Sequence, residues 1–150
     1  MIDALSDEIK ENGRLGTRLY VRRQDGVVIP YVEKHGAEWE PEQNWCHANV
    51  YRWVTENPGC KVVHGWLVFD LFLWTRFSAH SVVEEPDGTL IDITPSNASR
   101  RYPFLPHEGD ADAFVRLIDE IHIQDLDYEI GTGEVIIRTV STAAPPPEAV

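Results

Sequence analysis

Only two of the 150 residues are cysteines, Cys46 and Cys60, too few for a disulfide framework. If the stretch after Cys46 is helical to residue 57, Cys60 lies about 20 Å of helix away at ~1.5 Å per residue. That is beyond disulfide reach, so both are expected as free thiols. Basic residues are scarce as well: 13 Lys and Arg stand against 25 Asp and Glu, a net charge of −12. Phosphate backbones and anionic headgroups are held by Lys and Arg that release counterions, so neither nucleic acid nor a membrane is an expected partner. No apolar run is long enough to span a bilayer, and the longest, GWLVFDLFLW, is broken by Asp70. The opening MIDALSDEIKENG lacks the basic start and apolar stretch of a signal peptide, which predicts a cytoplasmic protein.

What remains is an ordinary globular composition, 43 % hydrophobic and 25 % charged, in a length that suits one domain with one sizeable core. No internal repeat or long linker appears. Ile2, Leu5 and Ile9 recur at helical spacing up to Gly13 and predict a short first helix. TRLYVRRQDGVVIPYVE reads as two strands around QDG, with Pro30 marking a sheet edge. A polar loop over 33–44 leads to a helix that buries Val50, Trp53 and Val54 and stops at Asn57-Pro58-Gly59. KVVHGWLVFDLFLW is one long strand or two, and AHSVVEE with TLIDIT forms a hairpin around PDG. Residues 110–122 form an amphipathic helix, and EVIIRTV is a last strand. The expected fold class is α+β over residues 1–140, with a disordered Pro-rich tail over 141–150.

The segment QNWCHANVYRW, residues 43–53, carries the chemistry. Asn44 is a good N-cap, which places Cys46 in the first helical turn, where free backbone N–H groups favour a thiolate and a developing oxyanion. A thiolate nucleophile needs a histidine oriented by a third polar group. His80 opens one strand and Asp92 lies in the next. In EPDGT, Pro86 suits position i+1 of a type I turn, Asp87 suits i+2, and Gly88 suits the left-handed residue after it. That three-residue loop pairs Glu85 with Thr89 and makes Asp92 the diagonal neighbour of His80 on one face. Ser81, Val83, Ile91 and Ile93 then take the opposite, core-facing side. A loop one residue shorter would send Asp92 to that side instead.

The order of a cysteine at a helix start, a histidine on a strand and an acid on the adjacent strand resembles the papain-like cysteine enzymes. The spacing of 46, 80 and 92 is most similar to their transglutaminase-like and NlpC/P60-like branches, and Asp92-Ile93-Thr94-Pro95 is similar to the acid-Pro-Thr endings of transglutaminase-like strands. The resemblance covers residues 43–95. It implies a papain-like core with the nucleophile at a helix N-terminus packed on an antiparallel sheet. It further implies Cys46 as nucleophile, His80 as general base and acid, and Asp92 as the residue that orients His80. The papain signature around the cysteine is absent, and Glu40 stands six residues before Cys46, where papain-type enzymes have a glutamine. Gln43 and Asn44 are the substitute oxyanion donors, with Trp45 beside them for substrate binding. Such chemistry needs no cofactor and acts on a peptide, amide or ester.

Two other readings stand beside it. Cys46, His47, Cys60, His64 and His80 include zinc-compatible ligands, but no C-x-x-C or H-E-x-x-H spacing appears and adjacent Cys46 and His47 should diverge on a helix. A non-catalytic interaction domain of the same fold is the other, with Trp39, Trp45, Trp53, Trp66 and Trp74 gathered around the site as a recognition surface. The acidic runs EEPDG and EGDADA read as solvated surface, and His35, His107 and His122 receive no role.

Overall fold

A computed structural model describes residues 2–96 and 101–140, with residues 2–6, 8 and 9 described by their backbone alone. The Pro-rich tail 141–150, and the side chains of Ile2, Leu5 and Ile9, lie outside the described residues. Among the described residues, three α-helices accompany a seven-stranded antiparallel sheet, an α+β arrangement. None of the helices is long and apolar enough to cross a membrane.

Helix α1 (Ile2–Val21) runs straight through Gly13 and Gly16, so TRLYV is helical and not a strand. Each interior glycine costs only about 0.5–1 kcal/mol against alanine. Burial of Leu15 and Leu19 against Trp66, Phe77 and Leu126 outweighs that, since one buried Leu is worth about 1.5–3 kcal/mol. Gln24-Asp25-Gly26 ends a short 3-10 turn, and strand β1 (Val27–Val28) pairs with β5 (Pro103–Pro106), not with residues 18–22. Pro30 does follow an edge strand, because β1 lies at one end of the sheet, beyond β5.

Strands β2 (Lys61–Asp70) and β3 (Trp74–Glu84) form the long central hairpin, with Lys61 opposite Glu84 and Asp70 opposite Thr75. The far edge of β3 is shared. Residues 74–78 pair with β6 (Ile123–Glu129), and Val83 and Glu84 pair with β4 (Leu90–Ile91), so among the described residues no registered strand partner faces residues 79–82 on that edge. Strand β7 (Val135–Thr139) completes the sheet. One face carries Trp66, Phe77, Leu105 and Leu126 under α1 and α3 (Ala111–Asp119). Asp110 caps α3 by accepting from the Ala113 N–H at 2.7 Å. Helix α2 (Cys46–Glu56) covers Val83, Ile91 and Ile93 with Val50, the apolar face expected of the 81–93 hairpin.

Candidate active site

The loop EPDGT adopts the expected geometry. The Glu85 N–H donates to Thr89 O at 2.8 Å, Gly88 takes φ +90°, and Val83 faces Ile91. This register brings His80 and Asp92 together, Nε2 lying 2.8 Å from Oδ2. Both are buried, and the bond leaves Nδ1 of His80 as the nitrogen available to the thiol.

Asp92 is itself firmly held. Its Oδ1 accepts the Thr94 N–H at 3.0 Å, and its Oδ2 also accepts from Arg101 Nη1 at 3.3 Å. Its backbone N–H donates to Pro30 O, and its carbonyl accepts the Val32 N–H. Arg101 stacks over Tyr31 and donates to Thr94 O at 3.2 Å. Neither Arg101 nor the 30–32 strap was visible from local sequence, because both arrive from distant segments.

Cys46 is the first residue of α2. The N-cap position falls on Trp45, which makes no side-chain cap bond, whereas Asn44 takes a left-handed backbone with φ 68°. Asn44 is therefore a turn residue and not the cap, a role its short polar side chain suits. The loop is secured instead by Asn49, whose Oδ1 accepts the Glu42 N–H at 3.0 Å and whose Nδ2 donates to Glu42 O at 2.8 Å and Thr94 Oγ1 at 3.1 Å. The first helical bond runs from the Asn49 N–H to Trp45 O, which leaves the amides of Cys46, His47 and Ala48 without a helical acceptor.

Burial would raise the Cys46 thiol pKa, but the charge and hydrogen bonding of His47 and His80 outweigh it and lower it to about 5. Burial alone would likewise disfavour imidazolium at His80, yet the hydrogen bond to Asp92 and the contact with Cys46 push its pKa up to about 10. Cys46 and His80 thus form a thiolate–imidazolium pair. His47 does not diverge from the thiol as its sequence position suggested. Its Nδ1 lies 2.6 Å from Ser81 Oγ, which lies 3.0 Å from His64 Nδ1, and His64 Nε2 is 3.4 Å from the Tyr51 hydroxyl.

Cys46, His47, His80 and Asp92 line a cavity of about 760 Å³ together with the polar residues Gln43, Asn44 and Arg101. Leu67, Phe69, Tyr102 and Phe104 form its apolar wall. Phe104 presents its ring edge-on to His80, and it fits there because Gly65 has no side chain. No tryptophan lines the cavity: Trp66 is in the core, and Trp45, though adjacent to Cys46, is half-buried elsewhere. Both cysteines are free, and among the described residues no group of three or more His, Cys, Asp or Glu is placed to hold a metal ion. No protein-family model, curated protein or solved structure matches the chain significantly.

Proposed function

We propose that the chain is a cysteine-dependent acyl-transfer enzyme with a papain-like core, acting on an amide or ester through Cys46, His80 and Asp92. The observation that carries this reading is the buried His80–Asp92 bond beside a thiol at a helix start, with an open cavity in front of it. The Cys46 thiolate attacks the carbonyl carbon, forming a C–S bond and pushing the π electrons onto oxygen. In this reading the Cys46 amide, which has no helical acceptor, and the Gln43 or Asn44 side chain donate to that oxyanion. Collapse breaks the C–N or C–O bond, and His80 gives its proton to the departing nitrogen or oxygen. Water or an amine then gives a proton to His80 as it attacks the thioester, and the C–S bond breaks to restore thiolate and imidazolium. Asp92 holds the ring through its bond to Nε2.

An activated ester such as p-nitrophenyl acetate tests the reading. The expected result is a burst of nitrophenolate with one acetyl group on Cys46 by mass spectrometry, absent in Cys46→Ala. Equal release by Cys46→Ala would overturn it. One observation favours the interaction-domain reading: Phe72 is 86 % exposed at the β2–β3 tip between exposed Leu71 and Leu73. That reading is compatible with the fold, and it gains if the burst is missing.

A further inference from the structure

We infer that His47 is a second imidazole of the nucleophile, acting on the Cys46 thiolate alongside His80 and held in place by the chain Ser81–His64–Tyr51. This rests on the reading of Cys46 as a nucleophile and adds residues that a cysteine–histidine–acid triad does not use.

The chain is a built network. Ser81 is fully buried, yet its single hydroxyl lies within hydrogen-bond distance of two imidazole nitrogens, His47 Nδ1 and His64 Nδ1. A hydroxyl donates once, so one of the two rings must donate to it. With Nδ1–H on His47, Ser81 donates to His64 Nδ1 and His64 Nε2–H points to the Tyr51 oxygen. With the order reversed, Tyr51 donates to His64 Nε2, His64 Nδ1–H donates to Ser81, and Ser81 donates to His47. Every bond survives either way. The ring of His47 therefore keeps its place with Nδ1 as donor or as acceptor, because the chain reverses with it.

His80 differs, since its Nε2 partner is an acceptor-only carboxylate, which fixes a proton on that nitrogen. Beside His47 stands the Cys46 thiol, which His80 also contacts, while the partners of its own chain, Ser81 and His64, are neutral. His47 lines the cavity beside Cys46 and hydrogen-bonds its thiol. Besides Ser81 and His64 it meets the ring of Phe114 on α3, which stacks on His64 at 4.5 Å. Burial, followed by the charges of His47 and His107, lowers the His64 pKa to about 4, so His64 remains a neutral relay. Tyr51 is influenced by Asp119 and Cys46 but closes the chain at the surface, 39 % exposed. The segment thus gives the thiol one imidazole tied to a carboxylate and one tied to a reversible neutral chain.

The pH–rate profile of iodoacetamide labelling at Cys46 separates the roles, read in the intact protein and in His47→Gln, Ser81→Ala and His80→Gln. Melting curves confirm that each variant is folded. The acid limb is expected to rise by about one pH unit or more in His47→Gln, equivalent to about tenfold less thiolate below the limb. Ser81→Ala should move it in the same direction by less, as expected of a positioning residue. If His47→Gln keeps the low limb of the unaltered protein while His80→Gln loses it, the second imidazole is refuted and the triad stands. If the unaltered protein has no low limb at all, the nucleophile reading falls and takes this inference with it.

Discussion

Nε2 of His80 lies 2.8 Å from Oδ2 of Asp92, and a single tight loop between them sets that distance. Glu85 and Thr89 close the loop, Gly88 supplies the left-handed residue, and the diagonal offset puts imidazole and carboxylate on one face. Asp92 is in turn bound by Thr94, Arg101 and the strap at Pro30 and Val32, so the fold itself fixes the acid in place.

Asp92→Asn keeps the size of the side chain but removes the charge that holds His80 as imidazolium. Turnover of an activated ester is expected to fall by about 10³–10⁴, in line with the loss seen for comparable changes in serine triads. Steady-state kinetics on a variant with an unchanged circular-dichroism spectrum checks this. Unchanged turnover would remove Asp92 from the mechanism.

Gly65→Ala should damage the wall of the cavity. A Cβ there would lie 2.2 Å from the Leu105 carbonyl and 2.5 Å from the Phe104 ring, and the first of these is backbone that cannot turn aside. Overpacking of this kind costs about 1–3 kcal/mol. Gly13→Ala is the contrasting case, since nothing lies within 4 Å in the middle of α1. It should stabilise the protein by about 0.5–1 kcal/mol. Thermal melts of both variants should therefore shift in opposite directions.

The pH dependence follows from the signs of two shifts. The Cys46 thiol is lowered to about 5, so thiolate prevails above that pH, and His80 is raised to about 10, so imidazolium prevails below that one. Both charged forms coexist only between these limits. Ester turnover should rise through about pH 5, stay level across neutrality, and fall through about pH 10. An acid limb near the ordinary thiol value of about 8.5 would contradict the ion pair.

The parts of the site that were legible in sequence are those fixed by local chemistry. Pro86-Asp87-Gly88 dictates a turn type, the turn dictates a register, and the register decides which side chains share a face. Cys46 at a helix start followed from the polar loop before it, even though the cap itself proved to be Trp45. Contributions that depend on distant chain segments were hidden. Arg101, the Asn49 clamp and the His47–Ser81–His64 chain join residues 7 to 45 positions apart, and nothing near each residue announces its partner. TRLYV failed as a strand because Leu15 and Leu19 found a core that an amphipathic helix could fill, which local propensity does not anticipate. Strand β6 escaped notice because its face carries Asp125 and Asp127, buried with Arg76 and Arg138 as ion-pair partners and with the Ser78 hydroxyl donating to Asp125.

Competitive labelling with iodoacetamide at pH 6 tests the central claim most directly, with Cys60 in the same molecule as the internal comparison. Against a thiol of ordinary pKa, about 8.5, a pKa of about 5 gives Cys46 roughly 300 times more thiolate at this pH. Lower basicity returns a factor of roughly 30–50, because nucleophilicity falls with a Brønsted slope of about 0.4–0.5. Peptide mapping should therefore find Cys46 modified about tenfold faster than such a thiol and well ahead of Cys60, with the advantage reduced in His80→Ala. Equal rates at Cys46 and Cys60, unaffected by His80→Ala, would contradict the assignment of Cys46 as an activated nucleophile.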